Sequence, residues 1–231
     1  MCVGTAIVSI PLEPDPYEKD LLIQFFHALA KVYPCKTCRD SYGRFLQTEP
    51  PDNVPNLFVW LWELKNKVNH KLGRDGPTLP LPLEKFDKRL RALSCFSAAD
   101  QVWDLLCIFA LNYPDNNNSS TISPEVIEQR KAYFQILAAM ATFLGKLPTH
   151  RSMAPYIDPM QLTARDLSGR APFVEWIVSQ RCQWAAITGS VCYGLEETYS
   201  RYGSKGVTHA DESDGYTCPN PALLPSSSTS T

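Results

Sequence analysis

The sequence predicts an all-α chain. Apolar residues return at spacings of three and four in one segment after another. Prolines and glycines fall where those segments begin and end. Strand signals are weak throughout. Residues 17–33 place Leu21, Leu22, Phe25, Leu29 and Val32 on one stripe, with Pro16 just ahead of the start. A short helix is expected from Cys35 to about Leu46, where Pro50 and Pro51 break it. Pro55 suits the first turn of the next helix. That helix carries Leu57, Phe58, Leu61, Leu64, Val68 and Leu72 on its apolar side and meets a plausible stop at Gly73. A Pro-rich linker from Gly76 to Pro82 leads to a polar helix over 83–94. Trp103 to Tyr113 reads as another helix. A polar Asn/Ser turn follows, and Ser123-Pro124-Glu125 then opens a long helix through about Leu144. Residues 203–231, rich in Gly, Ser, Asp and Pro, read as a disordered tail.

Composition bounds the function classes. At 231 residues the chain holds one large domain or two small ones. A hydrophobic content of 44% and an aromatic content of 11% suit a packed core. The net charge of -2 gives no reason to expect nucleic acid or an acidic membrane surface as partner. No run of 18 apolar residues exists, so no transmembrane helix is expected. The N-terminal stretch Met1 to Ile10 is apolar but lacks a basic region and a convincing cleavage site, so it is not read as a signal peptide.

Eight cysteines are present: Cys2, Cys35, Cys38, Cys95, Cys107, Cys182, Cys192 and Cys218. Only Cys35 and Cys38 are tightly spaced, and the rest read by default as small buried hydrophobes. Alone, the Cys-x-x-Cys is a redox pair, half a zinc site or a structural pair. Zinc needs a second Cys/His pair at ligand spacing, and His27 and His70 are isolated, so no metal is expected. Redox work needs two sulfurs close enough to bond and a thiolate to attack with. A helical turn brings the sulfurs of Cys-x-x-Cys together, and helix N-terminal amides favour the thiolate. Pro34 sets the chain into that turn.

The stretch Tyr33-Pro34-Cys35-Lys36-Thr37-Cys38 is followed by a Trp-rich helix ending Asn66-x-Val68-Asn69-x-x-Leu72-Gly73. Together these resemble the Erv/ALR family of FAD-linked sulfhydryl oxidases over roughly residues 5–75. The resemblance implies an Erv-like bundle of four helices plus a short fifth, within a domain spanning 1–94. It implies FAD as cofactor and divided roles for the cysteines. Cys35 would accept the substrate thiolate, and Cys38 would pass the electron pair to the flavin. Trp60, Trp62, Lys65, Asn66, Val68, Asn69, Leu72 and Arg74 become the candidate cofactor residues. The residues themselves fit such a ligand: aromatic faces, amides and a cation can receive a flat apolar ring with a polar rim. Positions 62, 66 and 69 lie near one helical face. Trp60, Leu64 and Val68 also read as ordinary core. Asn66 and Asn69 are harder to read that way, because buried amides are costly unless bonded. His27 reads as a core or edge histidine, with contact to the cofactor as the alternative.

The chain departs from the family pattern at four places. Lys65-Asn66 stands where the family has His-Asn. Trp62 occupies the first cysteine position of the family's structural disulfide. The first helix is truncated, with Gly4 in place of its His. No distal Cys-x-x-Cys shuttle is present, which leaves Cys182, Cys192 and Cys218 as the alternatives.

The second half reads as a degenerate copy of the first. Trp103 to Pro114 looks like the family's first helix, and Leu147-Pro148 falls on Tyr33-Pro34. The redox cysteines then fall on Thr149 and Ser152, and Pro172 to Trp184 takes the place of the flavin helix. Residues 97–200 are therefore expected to form a helical bundle without redox chemistry, burying Trp103, Leu106, Phe109, Phe134 and Trp176. An unrelated helical domain is the alternative.

The functional expectation is a thiol oxidase. Protein or small-molecule thiols would be oxidised through Cys35/Cys38 and FAD, with oxygen or another acceptor taking the electrons. The alternatives are a degenerate, non-catalytic Erv-like scaffold or interaction protein, and a flavin-free dithiol reductant. A homodimer or an internal pseudo-dimer is consistent with the resemblance. The implied location is the mitochondrial intermembrane space, with the cytoplasm of a virus-infected cell as the alternative.

Overall fold

A computed structural model describes residues 14–34, 36–71, 73, 80–87, 99–115, 122–146 and 153–206. The described residues are helical, with no strand among them. The first half holds α1 (Pro16–Val32), α2 (Lys36–Thr48) and α3 (Leu57–Lys71), with a 3-10 turn at Pro51–Asn53 and a helical segment at 83–87. The second half holds α4 (Ala99–Ala110), α5 (Pro124–Lys146), α6 (Arg170–Thr188) and α7 (Leu195–Gly206). Three 3-10 turns, Ala154–Tyr156, Pro159–Gln161 and Asp166–Ser168, stand between α5 and α6.

Local chemistry sets the ends. Asp15 caps α1 by accepting from the Glu18 N–H at 2.9 Å, while Glu18 accepts from the Asp15 N–H at 3.0 Å. Asn56 supplies the same service to α3, accepting from the N–H groups of Phe58 and Val59. Beyond α3, Gly73 takes φ 62°, the left-handed conformation that a glycine adopts without penalty. Its N–H donates to the His70 carbonyl at 2.9 Å. Gly189 ends α6 in the same way, at φ 74°.

One continuous core runs through both halves. Its broadest helix contact is α1 against α5. Glu18, at the start of α1, pairs with Lys146 at the end of α5, and Lys31, at the end of α1, pairs with Glu128 near the start of α5 at 2.9 Å. The two helices are therefore antiparallel. In the second half Tyr113 stacks on Phe173 at 4.2 Å, and Tyr133 packs edge-on to both. Burying side chains of this size stabilises by about 1.5–3 kcal/mol each.

Three expectations need correction. Phe134 is not core: it is 38% exposed on α5, because its neighbours Ala132, Tyr133, Ile136 and Leu137 take the buried stripe. Helix α7 runs to Gly206, past the boundary drawn at 203, since its amphipathic start carries it into a stretch of small polar residues. Cys182 and Cys192 are not separate buried thiols; they form a disulfide with 4.8 Å between Cα atoms. Trp103, Leu106, Phe109 and Trp176 are buried as expected. The expected N-terminal helix, residues 88–94, Thr149 and Ser152, and the tail beyond 206 lie outside the described residues, as do Cys2, Cys95 and Cys218.

Candidate redox and flavin site

Cys38 lies in the first turn of α2 and is half-buried. Cys35 lies outside the described residues. Two contacts fix Tyr33 at the end of α1. Tyr33 caps α1 by donating its N–H to the Leu29 carbonyl. Its own carbonyl accepts from Arg39 Nη1 at 2.8 Å, so Arg39 reaches back across the Cys-x-x-Cys.

Cys38, Tyr42 and Phe45 follow at spacings of four and three, and so share one stripe of α2. That stripe faces the core. Tyr42 donates its hydroxyl to the Phe26 carbonyl at 3.1 Å, and burial raises its pKa above the ordinary tyrosine value. Phe45 lies 5.7 Å from Trp60, ring to ring, and Trp60 lies 4.9 Å from Phe26. The Trp60 indole N–H donates to the Glu49 carbonyl at 2.9 Å. Trp60 is thus a fully packed residue bridging α1, α2 and α3.

The end of α3 comes beside the first turns of α2. Lys71 donates to the Ser41 hydroxyl, one turn beyond Cys38. Lys67 pairs with Glu49 and lies 5.0 Å over the Phe45 ring. These two lysines tie the end of α3 to α2.

Trp62, Lys65, Asn66 and Asn69 occupy another face of α3. Asn66 accepts from the Leu81 N–H at 2.7 Å and donates to the Leu81 carbonyl at 3.3 Å. The Trp62 indole N–H also donates to the Leu81 carbonyl. These bonds lay the segment 80–87 along α3, where Phe86 meets Phe58 at 5.4 Å. Lys65 is half-buried. Asn69 is 6% exposed. Val68 stays 42% exposed despite its apolar side chain. Leu72 and Arg74 lie outside the described residues. His27 is an edge histidine, with Nε2 at 2.8 Å from Asp52.

The residues present fit a flavin in donor chemistry. A buried amide at Asn69, the indole of Trp62 and the exposed apolar side chain of Val68 are the kinds of group that a flat ring with a polar rim can use. Arg39, Tyr42 and the Ser41–Lys71 contact were not foreseen as parts of the site. The i+4 spacing of Tyr42 from Cys38 was the available signal.

Residues 3–91 match the model of the Erv1 / Alr family. FAD-linked sulfhydryl oxidase ERV1 of Arabidopsis thaliana is 28% identical over 93 residues, covering 39% of this chain and 47% of that protein. Mitochondrial FAD-linked sulfhydryl oxidase ERV1 of Saccharomyces cerevisiae is 30% identical over 68 residues, covering 29% of this chain and 36% of that protein. FAD-linked sulfhydryl oxidase ERV2 of the same yeast is 28% identical over 85 residues, covering 36% and 43%. In each comparison the match spans less than half of the relative's length. No solved structure matches the chain significantly. The helix that carries Cys38 and the Trp- and Asn-bearing helix both lie within residues 3–91, the stretch over which the chain is similar to the Erv1/Alr family.

Proposed function

We propose that the first half of the chain is an FAD-dependent thiol oxidase. The observation that carries this reading is the packing of α2 on α3. Phe45, on the same stripe as Cys38 and Tyr42, meets Trp60, and Lys71 at the end of α3 reaches Ser41 of α2. In this reading a substrate thiolate attacks the sulfur of Cys35 in a Cys35–Cys38 disulfide, and Cys38 leaves as the thiolate. A second substrate thiolate then attacks the mixed disulfide and releases Cys35. The substrate gains a disulfide, and the pair holds two electrons as a dithiol. FAD, when bound, supplies the two-electron acceptor, with oxygen or another acceptor beyond it. Asn69 offers an amide for the ring edge, and Val68 the apolar surface. Trp62, Lys65 and Asn66 form the wall beside them. Leu72 and Arg74, next in the sequence, complete the candidate set, and Trp60 holds the wall from behind. Arg39 ties the start of α2 back to the Tyr33 carbonyl.

The second half replaces a partner subunit in this proposal. The order α4, α5, α6, α7 parallels a first helix followed by α1, α3 and the helical segment at 83–87, with 3-10 turns in the place of α2. Helices α1 and α5 are then equivalents, and equivalent helices packed antiparallel are what a two-fold axis produces. By the same family reading the protein acts in the mitochondrial intermembrane space.

A scaffold reading has one specific observation in its favour. Trp62 and Asn66 already have protein partners in Leu81. Dithiothreitol oxidation by the purified chain, with Cys35→Ser and Cys38→Ser as variants, decides between the two. The oxidase reading expects both variants to lose turnover while retaining flavin. Cys35→Ser should also show a long-wavelength band from the Cys38 thiolate against the ring. Normal turnover in Cys35→Ser would overturn the assigned roles.

A further inference from the structure

We propose that the groove between α2 and α5 binds a short peptide with a free amino end and a free carboxyl end, and that a cysteine-bearing peptide of this kind is the thiol substrate. The groove encloses about 460 Å³. Small-ligand sites run from roughly 300 to 1,000 Å³, so this one suits a ligand of a few residues rather than a helix or a folded partner. Its α2 side carries Arg39, Asp40, Gly43 and Arg44, which share one face of the helix by their spacings of three and four. Glu125 and Glu128 line the α5 side, and Lys31 comes from the end of α1.

The charges in the groove call for a zwitterion. Lys31 pairs with Glu128 at 2.9 Å, so neither is left over. Asp40, Arg44 and Glu125 are exposed and enter no ion pair among the described residues; Glu125 receives only the Gln129 amide, at 3.5 Å. Arg39 donates one N–H to the neutral Tyr33 carbonyl and keeps its charge. Two guanidinium groups against one carboxylate leave the α2 side positive, and Glu125 leaves the α5 side negative. A carboxylate end meets the planar donors of Arg39 and Arg44, while an ammonium end meets Glu125. A ligand of one sign would suit one side and be repelled by the other. Space for the middle of the peptide comes from Gly43. A Cβ there would meet no side chain and no neighbouring element within 4 Å. Gly43 is not among the glycines with positive φ, and glycine weakens a helix interior. Neither crowding nor backbone geometry accounts for it, whereas an occupant of the groove does.

The groove borders the redox turn. Arg39 follows Cys38 directly, and its bond to Tyr33 carries that side of the groove back to the residue two places before Cys35. The substrate part of the proposal rests on the oxidase reading; the binding part does not. One peptide thiolate forms a bond to the Cys35 sulfur as the Cys35–Cys38 bond breaks and Cys38 leaves as the thiolate. A second peptide thiolate then attacks the first peptide's sulfur and releases Cys35. The two peptides lose two electrons and two protons and leave joined by a disulfide. Cys35 and Cys38 become a dithiol, with FAD as the acceptor named above.

The experiment separates binding from chemistry. The full chain is titrated at neutral pH, by calorimetry, with Gly-Ser-Gly, which has no thiol, and with the same peptide acetylated and amidated at its ends. The free-ended peptide should bind roughly tenfold tighter or more, the order of magnitude of one charge-assisted contact. Gly43→Leu fills the groove and Arg44→Glu reverses the charge of one side. Each should remove that preference while keeping the helical circular dichroism of the native chain. Gly-Cys-Gly, free-ended and blocked, is then compared as an electron donor by the loss of free thiol. The free-ended form should show the higher kcat/KM, and the difference should vanish in Gly43→Leu. Equal affinity for the two serine peptides, or a preference that survives both variants, would overturn the proposal. So would tighter binding of a longer blocked peptide, which would make the groove a polypeptide site. Oxidation of dithiothreitol and of both cysteine peptides at equal efficiency would overturn the substrate assignment. Free-ended binding without oxidation of dithiothreitol or either cysteine peptide would support the groove and overturn the oxidase reading instead.

Discussion

Cys107 and Cys38 both sit on helices, and their surroundings give them different chemistry. Cys107 is fully buried on α4, and burial pushes its thiol up to about 11. Arg181, whose Nη1 is 3.9 Å from the sulfur, pulls only part of the way back. An unfolded thiol titrates near ~8.5. Between that pH and the folded value, unfolding releases a proton. This thiol's contribution to stability is therefore fully present below the window and is lost as pH rises through it. We expect Cys107 to resist alkylation at pH 9 in the native chain and to react promptly once denaturant is added. Prompt native labelling, followed by peptide mapping, would show that the α4–α6 contact opens. The sequence made Cys107 legible as a small hydrophobe. It also marked Asn66 as an amide that must be bonded, but not that Leu81 would be its partner, because that contact joins residues far apart in the chain.

At the scale of elements, the helices of the first half were legible because Pro and Gly mark their ends and apolar spacing marks their faces. Gly73 stops α3 as the pattern expects. The turns between α5 and α6 were not legible. Residues 154–168 carry prolines and aspartates that close 3-10 turns by local hydrogen bonds, such as Met160 N–H to the Asp158 carboxylate at 3.0 Å. Such bonds leave no periodic signature. The segment 80–87 depends on side-chain clamps from α3. Replacing Asn66 with Ala removes both of its bonds to Leu81 and leaves that buried backbone short of partners. The expected loss is about 1–3 kcal/mol, measured by urea unfolding. No change in midpoint would mean that Trp62 and Phe86 hold the segment alone.

For the whole molecule, the central feature is the antiparallel packing of α1 on α5, tied at both ends by ion pairs. Glu128 is held below the ordinary carboxylate range by Lys31. No helix among the described residues is long and apolar enough to cross a membrane. If the second half occupies the face that a partner subunit would take, the chain should be monomeric at micromolar concentration in sedimentation velocity. A dimer of full chains would argue against internal pairing. The arrangement of halves could not be read from the sequence, since only Trp103 to Pro114 and Trp176 echo the first half and long-range packing leaves few local marks. The motif named Trp60 and Asn66 together as candidates, yet the fold places one in the core and clamps the other to Leu81. The central claim is that α3, set against the redox helix, holds FAD. It is tested most directly by the absorbance of flavin released when the purified chain is denatured. The account predicts non-covalent FAD in near-stoichiometric amount. A colourless chain that stays colourless after incubation with FAD would contradict it.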